Sequence, residues 1–389
     1  MARYINSYST AADVQSAIDA GTLNKPYVAY LQDEDRIDWN SKSVDYSKKP
    51  LTFKMQSAGE IVWKRQKTIV PARTIEYSKN GGEWTSITSE TGDTAPSISV
   101  ESGDTVQFRG DNESYGTYEY STLYSSILST NGSFSIEGNI MSMINSTDFA
   151  SLTSLVVETF NSYSLPLLFS NCTGLTDASK LLLPATTLST SCYAGMFSGC
   201  TSLTGAPELP ATKVVNECYG SMFAGCTSLT TAPALPATTI DSFCYEYMFR
   251  GCTSLTQAPE LPATTLAGNC YNRMFWGCTS LTGVPIDYLP AISAVTKDYC
   301  YAGMFKDCIN LTQAPELPAS VIRNHCYNNM FEGCRNLKYI KCLATEMNYN
   351  PTYDWLRGVA STGTFVTPAS TNWSTGTSGI PSGWTRVDA

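Results

Sequence analysis

The sequence predicts an α+β protein whose larger part is a right-handed solenoid, preceded by a small β-sandwich. Three observations support this fold class. One residue pattern returns again and again in the second half of the chain, short alternating apolar runs fill the region before it, and 389 residues exceed the length at which one hydrophobic core stops growing. Because repeats of fixed length stack on their neighbours, we expect an elongated solenoid rather than one globule.

The repeating unit is clearest in residues 192–212, which read CYAGMFSGCTSLTGAPELPAT. The position of its first cysteine recurs at residues 164, 192, 218, 244, 270, 300 and 326, with Ser164 in place of cysteine in the first copy. The steps between these positions are 28, 26, 26, 26, 30 and 26 residues. We therefore expect seven units of about 26 residues, which together occupy residues 164–343.

Each unit is predicted to combine a short helix, a turn and a short extended segment. Tyr193, Met196 and Phe197 fit one face of a helix that Gly199 would end. The prolines in residues 206–210 prevent a helix and limit the hydrogen bonds that an extended segment can make. The constant residues would then face the core, and the residues that change between copies would face solvent.

The segment before the repeats is predicted to form a small, Ig-like β-sandwich over residues 48–137. Its strands are expected where apolar and polar residues alternate between turn signals, at residues 51–55, 60–64, 74–77, 97–100 and 105–108. The stretch rich in serine and tyrosine at residues 115–131 is predicted to be a long loop.

The remaining segments are predicted to be an N-terminal module and two caps. Residues 1–47 fit a helix at 11–20 followed by a hairpin of residues 27–31 and 36–39. Residues 138–163 carry the apolar groups that would cover the first unit, since an uncapped solenoid end exposes the edge that every internal unit buries. Residues 344–389 are predicted to form a hairpin-rich C-terminal cap.

Fourteen cysteines raise the question of disulfides or bound metal. Apart from Cys172 and Cys342 they fall in pairs eight residues apart, which is the spacing of the repeat and not the C-x-x-C spacing of zinc sites. Two cysteines at the ends of an eight-residue helix would lie about 12 Å apart, too far for a disulfide. We expect buried thiols that act as small apolar groups, with no metal and no other cofactor.

The sequence offers little for catalysis, and no residue is assigned a catalytic role. His325 is the single histidine, and it precedes Cys326 at a position that other copies fill with unrelated residues. Nucleophilic catalysis would need a cysteine that faces a base, whereas adjacent side chains on a helix do not face each other. Glu208, Glu260 and Glu316 recur at one position and are expected to form a solvated face rather than the carboxylate pair of a glycosidase.

The charge balance excludes several partners. The formal net charge is -9 and the basic residues are scattered, which argues against nucleic acid and against an anionic membrane surface. No apolar run reaches the roughly 20 residues of a membrane helix, so no membrane insertion is expected.

Binding is better supported, because a constant interior with a variable exterior creates extended recognition surfaces. At the variable positions, two consecutive units carry bulky residues where earlier units carry alanine, glycine and serine. Four of these residues are of the types enriched in binding hot spots, and we predict that they form a ligand-binding cluster: Tyr247, Arg250, Arg273 and Trp276.

The repeat resembles the BspA-type leucine-rich repeat family of bacterial proteins, in the variant whose units read C-Y-x-x-M-F-x-G-C-T-S-L-T-x-A-P-x-L-P-A-T. The resemblance covers residues 164–342, and the unit length falls within the roughly 20 to 29 residues of leucine-rich repeats. The ending at residues 358–384 is also similar to the tail that closes such arrays in gut Bacteroides-type proteins and their phages. The resemblance implies a leucine-rich-repeat solenoid in a secreted or surface protein.

The function that this implies is non-enzymatic adhesion or ligand recognition, at the cell surface or outside the cell, with a host protein, a glycan or another cell as the partner. Two alternatives stand beside it. A phage or prophage structural protein, such as a tail-fibre component, is favoured by an N-terminus that lacks the apolar core of a signal peptide. An accessory module of a carbohydrate-active enzyme is the second alternative.

Overall fold

A computed structural model describes residues 7–8, 30–31, 45–119, 122–155, 162–290, 294–295 and 297–389. The chain divides into two units, Met1–Tyr46 and Ser47–Ala389. In the first unit, strand β1 (Ser7–Tyr8) pairs in parallel with β2 (Tyr30–Leu31). The helix predicted at residues 11–20 and the strand predicted at residues 36–39 lie outside the described residues.

The second unit begins with eleven strands that build two sheets. In chain order these strands are β3 (Leu51–Met55), β4 (Gly59–Arg65), β5 (Thr74–Lys79), β6 (Thr85–Thr88), β7 (Ser97–Val100), β8 (Thr105–Gly110), β9 (Gly116–Glu119), β10 (Thr122–Thr130), β11 (Phe134–Asn139), β12 (Ser162–Tyr163) and β13 (Leu175–Leu182). One sheet has the order β12-β9-β10-β4-β7, and the other has the order β13-β11-β3-β8-β5-β6. All pairs are antiparallel except β11 with β13.

The five strands predicted from alternation are present, and both sheets contribute to one hydrophobic core. Trp63 of β4 meets Tyr115 edge-on with ring centroids 5.8 Å apart, and Phe53 of β3 stacks on Phe134 of β11 at 4.7 Å. Short 3₁₀ turns lie at Tyr46–Lys48, Gly92–Thr94, Ile140–Met143 and Phe149–Ser151. The turn at Ile140–Met143 is wholly buried, so this apolar segment belongs to the same core.

The prediction of a long loop at residues 115–131 is wrong, because most of this stretch lies in β9 and β10. Its serines have partners inside the protein rather than in solvent. The buried Ser125 hydroxyl donates to the Tyr115 carbonyl at 3.0 Å, and Ser126 shares a 3.2 Å hydrogen bond with Ser89. A small polar residue can therefore occupy a central strand once its hydroxyl is paired, which the count of serines alone does not reveal.

The sheets pass directly into the repeats. Leu128 of β10 donates its N–H to the Leu168 carbonyl at 2.9 Å, and the N–H of Phe134 in β11 reaches the Gly174 carbonyl at 3.0 Å. The next segment of the first repeat, β13, pairs in parallel with β11. Strands β10 and β11 thus cover the inner edge of the first repeat, where a solenoid would otherwise expose apolar groups.

The repeats form a solenoid made of turns and extended segments, and the predicted short helices are wrong. No described residue is in an α-helix, so the α component of the predicted fold class is absent from the described part of the chain. Residues 192–199 instead form consecutive turns. The extended segments are joined mainly by single bridges such as Gln257 with Gly283, which agrees with the limit expected from their prolines.

The C-terminal part adds two small sheets. Its strands are β14 (Ala294–Val295), β15 (Val321–Ile322), β16 (Tyr339–Lys341), β17 (Glu346–Met347), β18 (Gly363–Thr367) and β19 (Trp384–Asp388). The sheet orders are β14-β15-β17 and β16-β18-β19, and every pair is parallel. Parallel pairing corrects the prediction of hairpins, and it follows because each strand comes from a different turn of the solenoid.

Candidate ligand-binding surface

We name each repeat by its first cysteine and begin it one residue earlier, so residues 191–216 are the Cys192 unit. Within it, every fourth residue of the turn segment has a positive φ: 53° at Ser191, 60° at Gly195 and 76° at Gly199. The Met196 N–H donates to the Tyr193 carbonyl at 3.1 Å, so Gly195 is the third residue of a turn, where type II turns require positive φ. The segment is therefore a run of linked turns.

Alternate residues of this run bond to the next unit. The N–H groups of Tyr193, Gly195 and Phe197 donate to carbonyls of the Cys218 unit at 2.8 to 3.0 Å. The same pattern continues through the array. It extends to residues 350–358, where Asn350, Asp354 and Gly358 again have positive φ although this copy contains no cysteine. The run of turns thus acts as a ladder that stacks the units in register.

The constant side chains of the turn ladder fill the interior. Phe197, Phe223 and Phe249 stack at 5.5 and 5.8 Å with almost parallel rings, and the tyrosines form a second column at 5.7 to 6.0 Å. All fourteen cysteines are buried and free, as predicted. The thiol of Cys226 donates to the Phe197 carbonyl at 3.2 Å, and Cys172 makes the corresponding bond to Leu128 of β10 at 3.1 Å.

Burial makes these thiols poor nucleophiles. Burial raises the pKa of the Cys226 and Cys278 thiols to about 12, because a thiolate would lose its hydration in the core. Burial likewise raises the pKa of Cys326 to about 12, and its neighbour His325 stacks on Tyr299 at 5.1 Å. Glu208 and Glu260 are exposed, as expected for a solvated face, whereas Glu316 is half-buried and forms an ion pair with Lys341. In the described part of the chain, no group of three metal-ligating side chains comes together.

The four predicted binding residues lie together on the outer face of the turn ladder. Tyr247 and Trp276 have ring centroids 6.4 Å apart at an interplanar angle of 42°. The Arg250 guanidinium lies 4.3 Å from the Trp276 centroid, and Arg273 donates from Nη1 to the Tyr247 hydroxyl at 2.8 Å. The repeat explains this proximity, because residues 26 apart occupy the same position in consecutive units. We call these four residues the aromatic–arginine cluster.

The cluster is held on a strained backbone. Tyr247 and Arg273 have φ values of 56° and 52°, at a position where Gly195 and Gly303 show that the fold accepts glycine. A left-handed conformation costs a residue with a side chain about 1–2 kcal/mol. Bulky residues kept in such conformations often belong to functional sites.

The two guanidinium groups of the cluster have no carboxylate partner within 4.0 Å among the described residues. This distinguishes Arg250 and Arg273 from Arg65, Arg109 and Arg357, which are all ion-paired. Their charges are therefore available to a ligand, together with the face and edge of two aromatic rings.

The sequence did not reveal Lys306 and Asp307, which complete one side of the cluster. The Trp276 Nε1–H donates to Asp307 Oδ2 at 2.9 Å, and the Lys306 ammonium lies 5.4 Å from the Trp276 centroid. The sequence feature that could have indicated this contact is Asp307, which occupies the position of Gly277 and Gly333 in the neighbouring units. It has a φ of 59°, so an aspartate occupies a position suited to glycine and orients the indole.

A carboxyl group with a displaced pKa lies beside the cluster. Burial and the nearby charge of Glu217 raise the pKa of Glu246 to about 7, although Arg273 and a hydrogen bond from Asn272 oppose the shift. The Asn272 Nδ2 group donates to Glu246 Oε1 at 2.9 Å. Glu217 in turn accepts a 2.5 Å hydrogen bond from the Tyr118 hydroxyl of β9, so it stays anchored to the sheets.

A polar cavity of about 240 Å³ lies next to the cluster, over the Cys270, Cys300 and Cys326 units. Ala302 and Gly303 form its floor. Its walls are built from six larger side chains: Asn269, Asn272, Arg273, Tyr299, Asn328 and Asn329. Arg273 therefore belongs both to the cluster and to the cavity wall.

These features define a repeat solenoid with a stable interior and a variable, ligand-accessible outer face. A family model described as "BspA type Leucine rich repeat region" matches residues 168–300 and 244–350, in six copies. The repeat part of this chain, over residues 168–350, is therefore similar to the BspA-type leucine-rich repeat family, as its sequence pattern predicted. No curated protein and no solved structure matches the chain. In the described part of the chain, no helix has the length and apolar character needed to cross a membrane.

Proposed function

We propose that this protein is a non-enzymatic recognition protein that acts at a cell surface or outside the cell. It binds a host protein, a glycan or another cell through the outer face of its solenoid. We also propose that the solenoid has the seven units predicted from its sequence. The first of them, which begins at Ser164, joins the array to the sheets. The aromatic–arginine cluster is the binding site.

The observation that carries this proposal is the composition of the cluster. Two guanidinium groups without carboxylate partners lie over two aromatic rings, whereas the two preceding units carry only alanine, glycine and serine at the equivalent outer positions. Tyrosine, tryptophan and arginine dominate binding hot spots because they offer large contact areas and directional hydrogen bonds. The match of residues 168–350 to the repeat family supports a role in interactions.

A substitution with a matched control tests the site. Trp276→Ala removes the central ring of the cluster, whereas Trp84→Ala removes a tryptophan that stacks on Arg109 at 4.0 Å, on the sheet part of the protein. Fluorescently labelled protein is applied to a glycan array, to an array of extracellular-matrix proteins, and to epithelial and bacterial cells. We expect binding to at least one of these surfaces, and a loss of at least tenfold in affinity for Trp276→Ala only.

The expected loss follows from the hot-spot range of about 2 kcal/mol or more for a central tryptophan, which corresponds to more than tenfold in affinity. Melting temperatures of both variants are measured in parallel to show that they are folded. Binding to none of the surfaces would contradict the proposed function. Equal affinities of Trp276→Ala and Trp84→Ala would remove the cluster as its site.

A further inference from the structure

The polar cavity beside the aromatic–arginine cluster contains a buried group that lacks a partner. Asn272 is only 5% exposed and lines the cavity. Its Nδ2 group donates to Glu246 and to Asn269 at 2.9 and 3.0 Å, which uses both amide hydrogens. Its Oδ1 atom has no hydrogen-bond partner among the described residues. An unsatisfied buried acceptor is unfavourable, so a ligand that supplies a donor there gains affinity.

The rest of the wall indicates which ligand chemistry would satisfy this atom. Asn269, Asn328 and Asn329 add amide groups, each of which can donate and accept hydrogen bonds. A hydroxyl group also donates and accepts, so a ring that carries several hydroxyls can use both functions of each amide. No carboxylate and no large aliphatic side chain lines the cavity. This composition disfavours a cationic ligand and an apolar peptide anchor.

An aromatic surface accompanies the amides. Tyr299 lines the cavity, is 40% exposed, and is held by its stack on His325 at an interplanar angle of 12°. His325 is fixed in turn by a 3.0 Å hydrogen bond between its Nδ1 atom and Asn328 Nδ2. An aromatic ring with a polar tip is suited to a ligand that has both an apolar face and hydroxyl groups.

The size of the cavity limits the ligand to one ring. Drug-sized ligands occupy pockets of roughly 300–1,000 Å³, and this cavity of about 240 Å³ is below that range. The Arg273 stem lies close to Gly303, where an added Cβ would come within 2.8 Å of Arg273 Cγ. The open side of the cavity meets the aromatic–arginine cluster through Arg273.

We propose that this cavity binds the terminal neutral sugar ring of a glycan, and that the cluster contacts the part of the glycan that follows. The inference rests on the proposed recognition function and specifies its ligand class. Asn272 Oδ1, which is closed off from solvent in the free protein, accepts a hydrogen bond from a sugar hydroxyl once the ligand has displaced the side chains over it. The amides of Asn328 and Asn329 and the Arg273 guanidinium bind further ring oxygens, and Tyr299 packs against the C–H face of the ring.

Two variants alter the cavity and introduce residues that readily adopt the left-handed backbone at their positions. Tyr299→Asn introduces an asparagine, which the preceding unit carries at the same position as Asn269. The φ values are 53° at Tyr299 and 54° at Asn269. Its control is Phe243→Asn, an exposed aromatic residue at the same position two units earlier, outside the cavity. Asn329→Gly removes one side chain that lines the cavity, at a residue with a φ of 54°. Its control is Asn350→Gly, which makes the same substitution on an exposed turn, at a residue with a φ of 48°.

The probes are arrayed glycans that end in galactose, glucose, mannose or N-acetylhexosamine, and the same cores capped with sialic acid. We expect binding to at least one neutral series. Tyr299→Asn and Asn329→Gly should each weaken it at least tenfold, while the two controls stay within twofold of the unaltered protein. The free monosaccharide that matches the bound terminus should compete at millimolar concentration, which shows that one ring is recognised and that the glycan core adds affinity.

The outcomes separate this inference from the proposed function. Binding to proteins or cells without binding to any neutral glycan would overturn the sugar site and leave the recognition function standing. Preference for the sialylated cores would also overturn it, because an acidic terminus would then be the ligand. Glycan binding that is abolished by Trp276→Ala but unchanged in Tyr299→Asn and Asn329→Gly would assign the ligand to the cluster alone.

Discussion

The Cys218 and Cys244 units are neighbours in the array and have contrasting outer faces. At equivalent outer positions the first carries three small residues and the second carries three large ones: Gly220, Ser221 and Ala224 against Glu246, Tyr247 and Arg250. Their interiors are almost superimposable, since Phe223 and Phe249 stack at 5.8 Å with an angle of 4° between the rings. Stability and recognition are therefore carried by different residues of one short segment.

This separation has a physical origin in the turn ladder. Each unit is fixed by backbone hydrogen bonds to the next, such as that from the Phe223 N–H to the Met248 carbonyl at 3.0 Å, and by the buried ring columns. Neither contact involves the outer side chains. A unit can therefore carry a residue as large as Tyr247 in place of Ser221 without a change in the ladder, since both residues have a φ of 56°.

The largest expected effect comes from the interior, and it should be equal in the two units. Phe223→Ala and Phe249→Ala each remove a fully buried ring from the same column, which costs about 3–5 kcal/mol of unfolding free energy in a packed core. Urea unfolding of both variants measures the loss. The control Ala224→Ser, which introduces the residue found at Ser198, should stay within about 0.5 kcal/mol.

A difference of more than about 2 kcal/mol between the two phenylalanine variants would break the comparison. It would mean that the large outer residues of the Cys244 unit contribute to its stability. Equal losses would confirm that the interior is independent of the outer face.

A smaller effect concerns the charge beside the cluster. The folded-state pKa of Glu246 is raised to about 7, against an ordinary value of 4.5, chiefly by burial and next by the charge of Glu217. Between these two pH values the folded protein holds a proton that the unfolded chain has released. Stability should therefore fall as the pH rises from about 4.5 to 7, and the penalty should be complete above pH 7.

Glu246→Gln removes this titration and keeps an acceptor for Asn272. The variant should be more stable than the unaltered protein at pH 8, by roughly 1 kcal/mol because the carboxyl is partly exposed and screened, and nearly equal to it at pH 4. Thermal unfolding across this range measures the difference. Glu260→Gln, at an exposed carboxylate, is the control for the loss of one negative charge. A variant that is less stable at pH 8 would contradict the assigned cause.

The sequence was sufficient to predict the solenoid, its buried cysteines and the proximity of the four cluster residues. Each of these follows from the period of 26, which aligns Tyr247 with Arg273 and Arg250 with Trp276. The sequence pattern wrongly predicted short helices in the repeats. Apolar residues three and four apart fit one face of a helix, but they also fit turns that repeat every four residues. Only the φ values of residues such as Ser191 distinguish the two.

Two further features escaped prediction because they depart from the pattern. The last turn-ladder copy, at residues 350–358, has lost both cysteines, and Trp355 continues the tyrosine column by stacking on Tyr327 at 6.4 Å. The polar cavity depends on Ala302 and Gly303 being small between two units with larger residues. A concavity of this kind arises because one unit has smaller side chains than its two neighbours. The sequence of a single unit therefore cannot predict it.

The smallest expected effect tests how the cluster is oriented. Asp307→Gly restores the glycine that Gly277 and Gly333 supply in neighbouring units, and it removes the hydrogen bond to Trp276. Relief of a left-handed residue, worth about 1 kcal/mol, offsets a bond of about the same value. Urea unfolding should therefore show a change within about 1 kcal/mol, whereas ligand affinity should fall by less than in Trp276→Ala because the indole remains but is no longer fixed. A loss of more than about 2 kcal/mol would show that Asp307 supports the ladder itself, and the division between interior and outer face would not extend to the Cys300 unit.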